Sequence, residues 1–193
     1  MKKYPALVAL ALTFATSAVA EITRGSYSAK TFWTEVVHEE DCIRTSTYVV
    51  LTFDTTKKNS SVPPSVLVSQ YVDDTCTGEF LRYAYGTLNN PMTKHGTDVS
   101  VVDTVQIEGT INDIIYKVDV PIELAWTGFS NEQRWWSNSG HKDACVVSTS
   151  TYDQTSWVAE ISGWVDGLPV DSAPAGKTVY SSKWKEWGKQ KGC

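Results

Sequence analysis

Hydrophobic and polar residues alternate with a period of two along most of this chain. Between Ile114 and Trp126 every even-numbered position is apolar, whereas Lys117, Asp119 and Glu123 occupy odd-numbered positions. One apolar face and one polar face are typical of an antiparallel strand that rests one side on a core. Pro121 has no backbone N–H to donate, so we expect this strand to lie at a sheet edge or to contain a bulge there.

The segment from Val99 to Ile111 alternates in the same way, and Asn112-Asp113 between the two segments predicts a tight hairpin turn. Shorter segments with strand-like composition are separated by breaks rich in Gly, Pro, Asn and Lys. They are Tyr27–Val37, Thr45–Thr55, Ser65–Val72, Glu79–Leu88, Ala144–Tyr152, Trp157–Val165 and Thr178–Trp184. The pattern predicts an all-β fold, an antiparallel β-sandwich of about nine strands, with a closed β-barrel as the alternative.

The first twenty residues have the pattern of a cleavable export signal. Lys2 and Lys3 precede an apolar run, and Ala18-Val19-Ala20 supplies the small residues that a signal peptidase requires. The apolar run is too short for a membrane anchor. We therefore expect residues 1–20 to be removed and residues 21–193 to form a single domain, secreted or periplasmic, from a bacterial source.

The acidic composition argues against a general nucleic-acid-binding protein. The chain has 17 Lys and Arg against 22 Asp and Glu, and cleavage of the signal would also remove Lys2 and Lys3. Binding to nucleic acid depends on a positive surface that neutralises phosphates. After the signal no apolar stretch approaches the length needed to cross a membrane, so we predict no transmembrane segment.

Four cysteines follow the signal: Cys42, Cys76, Cys145 and Cys193. An even number of cysteines in an exported chain predicts disulfides. If the second and third strands form a hairpin, Cys42 and Cys76 lie opposite each other at its open end, within bridging distance. Cys145 is then left to pair with Cys193, and a Cys42–Cys145 bridge between sheets is the rival pairing. No two cysteines have the short spacing of metal ligands, so no metal site is predicted.

Trp135-Trp136 is the most informative aromatic pair in the chain. It lies within the polar segment 131–140, which resembles a loop, and Arg134 precedes it. Consecutive residues in an extended chain face opposite ways, so at least one ring is expected in solvent. Exposed tryptophan beside arginine suits stacking on sugars or contact with a protein surface. The alternative is that one ring closes the end of the sandwich while the other lies along a strand.

Motifs for catalysis, cofactor binding and metal binding are missing from the sequence, including a Gly-x-Ser-x-Gly elbow, a phosphate-binding glycine loop and histidines at ligand spacing. A small secreted glycoside hydrolase would need two carboxylates facing each other across a cleft. Glu108, Glu123 and Glu160 are the candidates, although Glu108 and Glu123 fall opposite the apolar positions, where solvated charges belong.

The C-terminal segment is basic on an otherwise acidic chain. It carries Trp184, Trp187 and Glu186 among the lysines Lys177, Lys183, Lys185, Lys189 and Lys191. Such a segment suits a basic and aromatic contact with an anionic partner. Solvated charge that keeps a terminal strand from pairing with other chains is the simpler interpretation.

These observations predict an exported binding protein without catalytic residues, cofactor or metal. Its expected ligand is carbohydrate or a protein surface, contacted by loops at one end of the sandwich through Arg134, Trp135 and Trp136. A glycoside hydrolase is one alternative. A structural or assembly subunit of a surface fibre or layer is the other, and an unpaired, uncharged edge strand would support it.

Overall fold

All regular structure in the described part of the chain is β-strand. The structure is a computed structural model, and it describes residues 22–56, 63–96, 98–111, 114–143, 145–170 and 179–190. The strands in chain order are β1 (Ile22–Glu40), β2 (Ile43–Asp54), β3 (Ser65–Asp74), β4 (Glu79–Asn89), β5 (Thr93–His95), β6 (Val99–Ile111), β7 (Ile114–Lys142), β8 (Val146–Val165), β9 (Leu168–Pro169) and β10 (Val179–Gln190). The all-β prediction is confirmed, and the predicted signal, residues 1–20, lies outside the described residues.

The strands form one antiparallel sheet in the order β10-β1-β2-β3-β4-β6-β7-β8-β9, with β5 beside β6. Because β10 also pairs with β8, the path of strands returns to its start. The sheet is not a regular barrel, since the β4–β6 ladder has only two residue pairs, Ala84↔Gly109 and Tyr85↔Glu108. We expected two sheets packed as a sandwich, and the structure instead has a single sheet that folds around its core. Long strands such as the 29-residue β7 run through the whole length of this sheet.

The core lies on the inner face of this folded sheet. Phe32 in β1 contacts Trp126 in β7, with ring centroids 5.6 Å apart, and Phe129, at 6.1 Å. Trp126 is fully buried and its indole N–H donates to the carbonyl of Trp33 at 3.4 Å. Val120, Ile122 and Leu124 are buried beside it, which confirms the even-numbered apolar face of this strand near the core.

The predicted hairpin between β6 and β7 is confirmed by a continuous ladder that ends at Ile111↔Ile114. The turn itself, Asn112-Asp113, lies outside the described residues. Pro121 pairs with Thr104 in β6, whereas the ladder between β7 and β8 begins only at Ile122. On the β8 side the missing N–H of Pro121 therefore faces a local edge, although β7 as a whole is an interior strand of the sheet.

The disulfide Cys42–Cys76 is present, with a Cα–Cα distance of 5.4 Å. The β2–β3 ladder runs from Thr52↔Ser65 to Ile43↔Asp74 and so brings both cysteines to its open end. The rival Cys42–Cys145 bridge is wrong. Cys145 is disulfide-bonded as well, and its predicted partner, Cys193, lies outside the described residues.

Two predicted strands, Ala144–Tyr152 and Trp157–Val165, are one continuous strand, β8. The residues between them pair with both β7 and β10, so their backbone groups have partners without a turn. Residues 133–142, 146–156, 180–190 and 22–31 form four adjacent strand segments in the order β7-β8-β10-β1, which we call the arm. No residue of the buried core cluster belongs to the arm.

Candidate binding site on the arm

Arg134, Trp135 and Trp136 lie within strand β7, so their predicted position in a loop is wrong. Each position from Gln133 to Lys142 pairs with a residue of β8. The segment lacks apolar alternation because both faces of the arm contact solvent, and neither face requires apolar side chains. The polar composition of this segment therefore suggested a loop, although the segment is a strand that pairs with β8.

The two tryptophans lie on opposite faces of the arm. Residues paired across a ladder share a face, so Trp136, Asp153, Lys183 and Ser28 lie together. Ser28 shares its face of β1 with the core residue Phe32, and we call this side the inner face and the opposite side the outer face. Trp136 on the inner face is 62% exposed and Trp135 on the outer face is 56% exposed, so both rings are in solvent.

On the inner face Arg134 makes a bidentate ion pair with Asp153. Its Nε donates to Oδ1 at 2.9 Å and its Nη2 donates to Oδ2 at 2.7 Å. The hydrogen bonds lower the pKa of Asp153 and raise that of Arg134. Exposed pairs add little stability, but two parallel hydrogen bonds fix the orientation of the guanidinium group.

A shallow cavity of about 230 Å³ lies against this ion pair on the inner face. It is lined by Glu132, Arg134, Asp153, Thr155, Ser181 and Lys183. All six side chains are polar or charged, so the cavity suits a hydrated, hydrogen-bonding ligand better than an apolar one.

Lys30 marks the boundary between the core and the inner face of the arm. Its Nζ lies 5.2 Å from the ring centroid of Phe32, 5.1 Å from that of Phe129 and 5.7 Å from that of Trp157. These distances are within the range of cation–π attraction. Burial lowers the pKa of the Lys30 ammonium, and beyond this residue the inner face becomes polar.

On the outer face of the arm, aromatic side chains cross all four strands. The rings of Trp135 and Tyr152 are 5.2 Å apart, and Tyr152 pairs with Trp184, which pairs with Tyr27. The indole of Trp184 donates to Ser150 Oγ at 3.1 Å and lies over Gly25, where an added Cβ would be 2.9 Å from its Cζ3 atom. Trp135 therefore belongs to an ordered aromatic surface.

A second aromatic row, on the outer face of β1 to β4, was not predicted from the sequence. Its members are Trp33, Tyr48, Tyr71, Tyr83 and Tyr85, with neighbouring centroids 4.6–6.1 Å apart. Burial and a hydrogen bond to Glu35 raise the pKa of Tyr48 to about 12. Each ring occupies a position on the solvent side of its strand, but only the ladder register reveals that the rings are neighbours.

The candidate glycosidase carboxylates are far apart. Glu108 forms an ion pair with Lys117 at 3.1 Å, and Glu123 pairs across the ladder with Trp164, four residues along β8 from Glu160. Four residues of strand span about 13 Å between Cα atoms, and Glu123 lines a cavity to which Glu160 does not contribute. A glycosidase needs two carboxylates roughly 5–9.5 Å apart across one cleft. Glu108 is more distant still, because six residues of β7 separate its partner Lys117 from Glu123.

Within the part of the chain that the structure describes, no group of three or more His, Cys, Asp and Glu side chains is arranged to hold a metal ion. No described helix is long and apolar enough to cross a membrane. Comparisons with family models, with curated proteins and with solved structures found no match.

Proposed function

We propose that this protein is a non-catalytic binding protein that recognises carbohydrate through the arm. The observation that carries the proposal is the position of Trp135 and Trp136, more than half exposed on paired strands. Exposed indole rings held on a rigid sheet lose little entropy when a sugar ring stacks on them. Arg134, fixed by Asp153, adds hydrogen-bond donors on the same face as Trp136.

We propose that the protein acts outside the cytoplasm, secreted or periplasmic. The Cys42–Cys76 disulfide supports this location, because structural disulfides persist in oxidising compartments and are rare in the cytosol. The signal-like pattern of residues 1–20 is the sequence basis for the same proposal.

Recognition of a protein surface is the second candidate, and the aromatic row of β1 to β4 favours it. Tyr83 and Tyr85 are 37% and 57% exposed, and Val37 and Leu67 on the same face are also exposed. Tyrosine is enriched in protein interfaces because it combines apolar area with a polar tip. If a protein partner binds this row, the variant Tyr85→Ser should lose the binding and the variant Trp136→Ala should retain it.

The two remaining alternatives have less support. The separation of Glu108, Glu123 and Glu160 does not suit a two-carboxylate hydrolase. An assembly role would use the side of β4 that faces β6, where no described residue pairs with Glu79–Tyr83. That edge carries the charges of Glu79 and Arg82, which natural proteins use to discourage pairing with further strands.

The test is a panel of neutral and acidic polysaccharides, titrated into the oxidised protein while tryptophan fluorescence is recorded. We expect saturable binding to a polysaccharide, weakened about tenfold or more by removal of a contacting tryptophan. Trp135→Ala and Trp136→Ala form a matched pair, since both remove an exposed ring but from opposite faces. Failure of every polysaccharide to bind would exclude the carbohydrate proposal and leave the protein-surface candidate.

A further inference from the structure

The strand register places the basic side chains of the arm on its inner face. The basic side chains there are Arg24, Lys30, Arg134, Lys142, Lys183, Lys185 and Lys189. Two acidic side chains lie near them: Asp153, which pairs with Arg134 and is the ladder neighbour of Lys183, and Glu132, which directly precedes the arm. Among the arm residues that the structure describes, the outer face has no Lys or Arg, and its carboxylate is Glu186.

The cations follow the length of β10. Lys183, Lys185 and Lys189 are all odd-numbered positions of β10 and therefore lie on the same face of the sheet. Lys183 and Lys185 are about 7 Å apart along the strand. Lys185 pairs across the ladder with Thr151 and Ser26, neither of which carries a charge. These like charges therefore reinforce one another over the inner face.

This basic face belongs to an acidic protein, whose net charge is −5. The basic face therefore does not simply reflect the overall composition of the chain. The clustered basic side chains repel one another, and an anionic partner that spans them would be attracted to all of them and would offset this repulsion. Charge complementarity thus favours an anionic ligand with several charges along its length.

The other side chains of the inner face suit a carbohydrate. Hydroxyl groups separate the cations, supplied by Ser26, Ser28, Thr149, Thr151, Thr155 and Ser181. Trp136 is exposed there and Trp187 is half-buried. Hydroxyls can exchange hydrogen bonds with sugar hydroxyls, and indole rings can stack on sugar rings. A lipid surface would instead require exposed aliphatic side chains, and Val147 on this face is half-buried.

We propose that the inner face of the arm binds an acidic polysaccharide that carries carboxylate or sulfate groups. Lys183, Lys185 and Arg24 contact its charges, and Trp136 stacks on a sugar ring. The inference rests on the proposed carbohydrate-binding function and adds the ligand class and the face. It also assigns different roles to the two neighbouring tryptophans, because Trp135 lies on the opposite face.

Dextran sulfate and dextran provide a matched pair of probes with the same sugar backbone. We expect the protein to bind dextran sulfate more tightly, and to lose affinity as salt rises from about 50 to about 200 mM. The double variant Lys183→Gln/Lys185→Gln should weaken binding about tenfold or more, since each basic residue near an anionic surface contributes strongly. Trp136→Ala should weaken binding, and Trp135→Ala should not.

The control is the double variant Lys94→Gln/Lys117→Gln, which removes the same charge from positions outside the arm. It should retain the wild-type affinity to within about twofold, because neither lysine belongs to the inner face of the arm. Equal losses in the two double variants would overturn the inference, since they would reflect net charge alone.

Three outcomes separate this inference from the function on which it rests. Equal binding of dextran and dextran sulfate, insensitive to Lys183→Gln/Lys185→Gln, would overturn the inference and leave carbohydrate binding intact. Binding to no acidic polysaccharide, with dextran sulfate and alginate included, would overturn the inference, and failure of every neutral polysaccharide as well would overturn both. Equally tight binding of oligothymidylate or phosphatidylglycerol vesicles, with the same loss in the variant, would show general polyanion binding and overturn the assignment to carbohydrate.

Discussion

Asp143 illustrates how a single side chain organises the end of the arm. Its Oδ1 accepts hydrogen bonds from the backbone N–H groups of Cys145 at 2.7 Å and Val146 at 2.6 Å, where β7 turns into β8. Asp74 binds the N–H groups of Cys76 and Thr77 in the same way between β3 and β4. In both turns the aspartate lies two residues before a cysteine, so the carboxylate orders the backbone beside that cysteine.

The pKa of Asp143 predicts a pH dependence. Hydrogen bonds from His141, Val146 and Cys145 lower that pKa from 3.8 to about 2. A carboxylate with a lowered pKa stabilises the folded protein above its unfolded pKa, and this contribution is lost as pH falls through about 4 towards 2. We expect Asp143→Asn, which keeps an acceptor oxygen for the turn, to lower the melting temperature at pH 6 and to match wild type near pH 2.

The control is Asp143→Ala, which removes the acceptor as well as the charge. Its melting temperature should remain below that of wild type even near pH 2, because the backbone N–H groups lose their partner. A difference between wild type and Asp143→Asn that stays constant from pH 6 to pH 2 would contradict the role assigned to this carboxylate.

Among the strands, β4 and β6 make the least regular junction. Their ladder has two residue pairs, and at Gly86 an added Cβ would overlap the backbone carbonyl of Gln106. Ile107 Cα would be only 3.0 Å away. Because the obstructing atoms belong to the backbone, the strands cannot yield by turning a side chain, and glycine permits their close approach.

Gly86→Ala is therefore expected to destabilise the protein by about 1–3 kcal/mol, the usual cost of forcing extra volume into a packed region. Urea unfolding of the oxidised protein would measure the loss. Gly96→Ala is the matched control, because an added Cβ there meets nothing within 4 Å. Equal stabilities of the two variants would mean that the β4–β6 junction adapts without strain.

For the whole molecule, the Cys42–Cys76 bridge restricts the unfolded chain more than it shapes the folded one. It joins residues separated by 34 positions, at the open end of a hairpin that the β2–β3 ladder already forms. Its stabilisation is therefore expected to come mainly from the lower entropy of the unfolded chain.

The double variant Cys42→Ser/Cys76→Ser should lose about 3–4 kcal/mol in free energy of unfolding, on the loop-closure relation for a loop of this length. Denaturant unfolding measures this loss, and binding to polysaccharide should persist under native conditions because the arm is elsewhere in the sheet. A loss below about 1 kcal/mol would show that the unfolded chain keeps this hairpin without the bridge.

The sequence by itself determined the class of the fold and several local features. Period-two alternation identified the strands from Val99 to Trp126, and the hairpin geometry paired Cys42 with Cys76. These features depend on residues close in sequence or on a single hairpin, so local pattern was sufficient to predict them.

Only the tertiary structure decided where the candidate surfaces lie. Tyr27 pairs with Trp184 from the other end of the chain, and this ladder makes the polar segment around Trp136 part of a four-stranded arm. Which rings or cations become neighbours depends on register between distant strands. A shift of one residue would reverse every face, and two solvated faces leave no apolar pattern from which that register could be predicted.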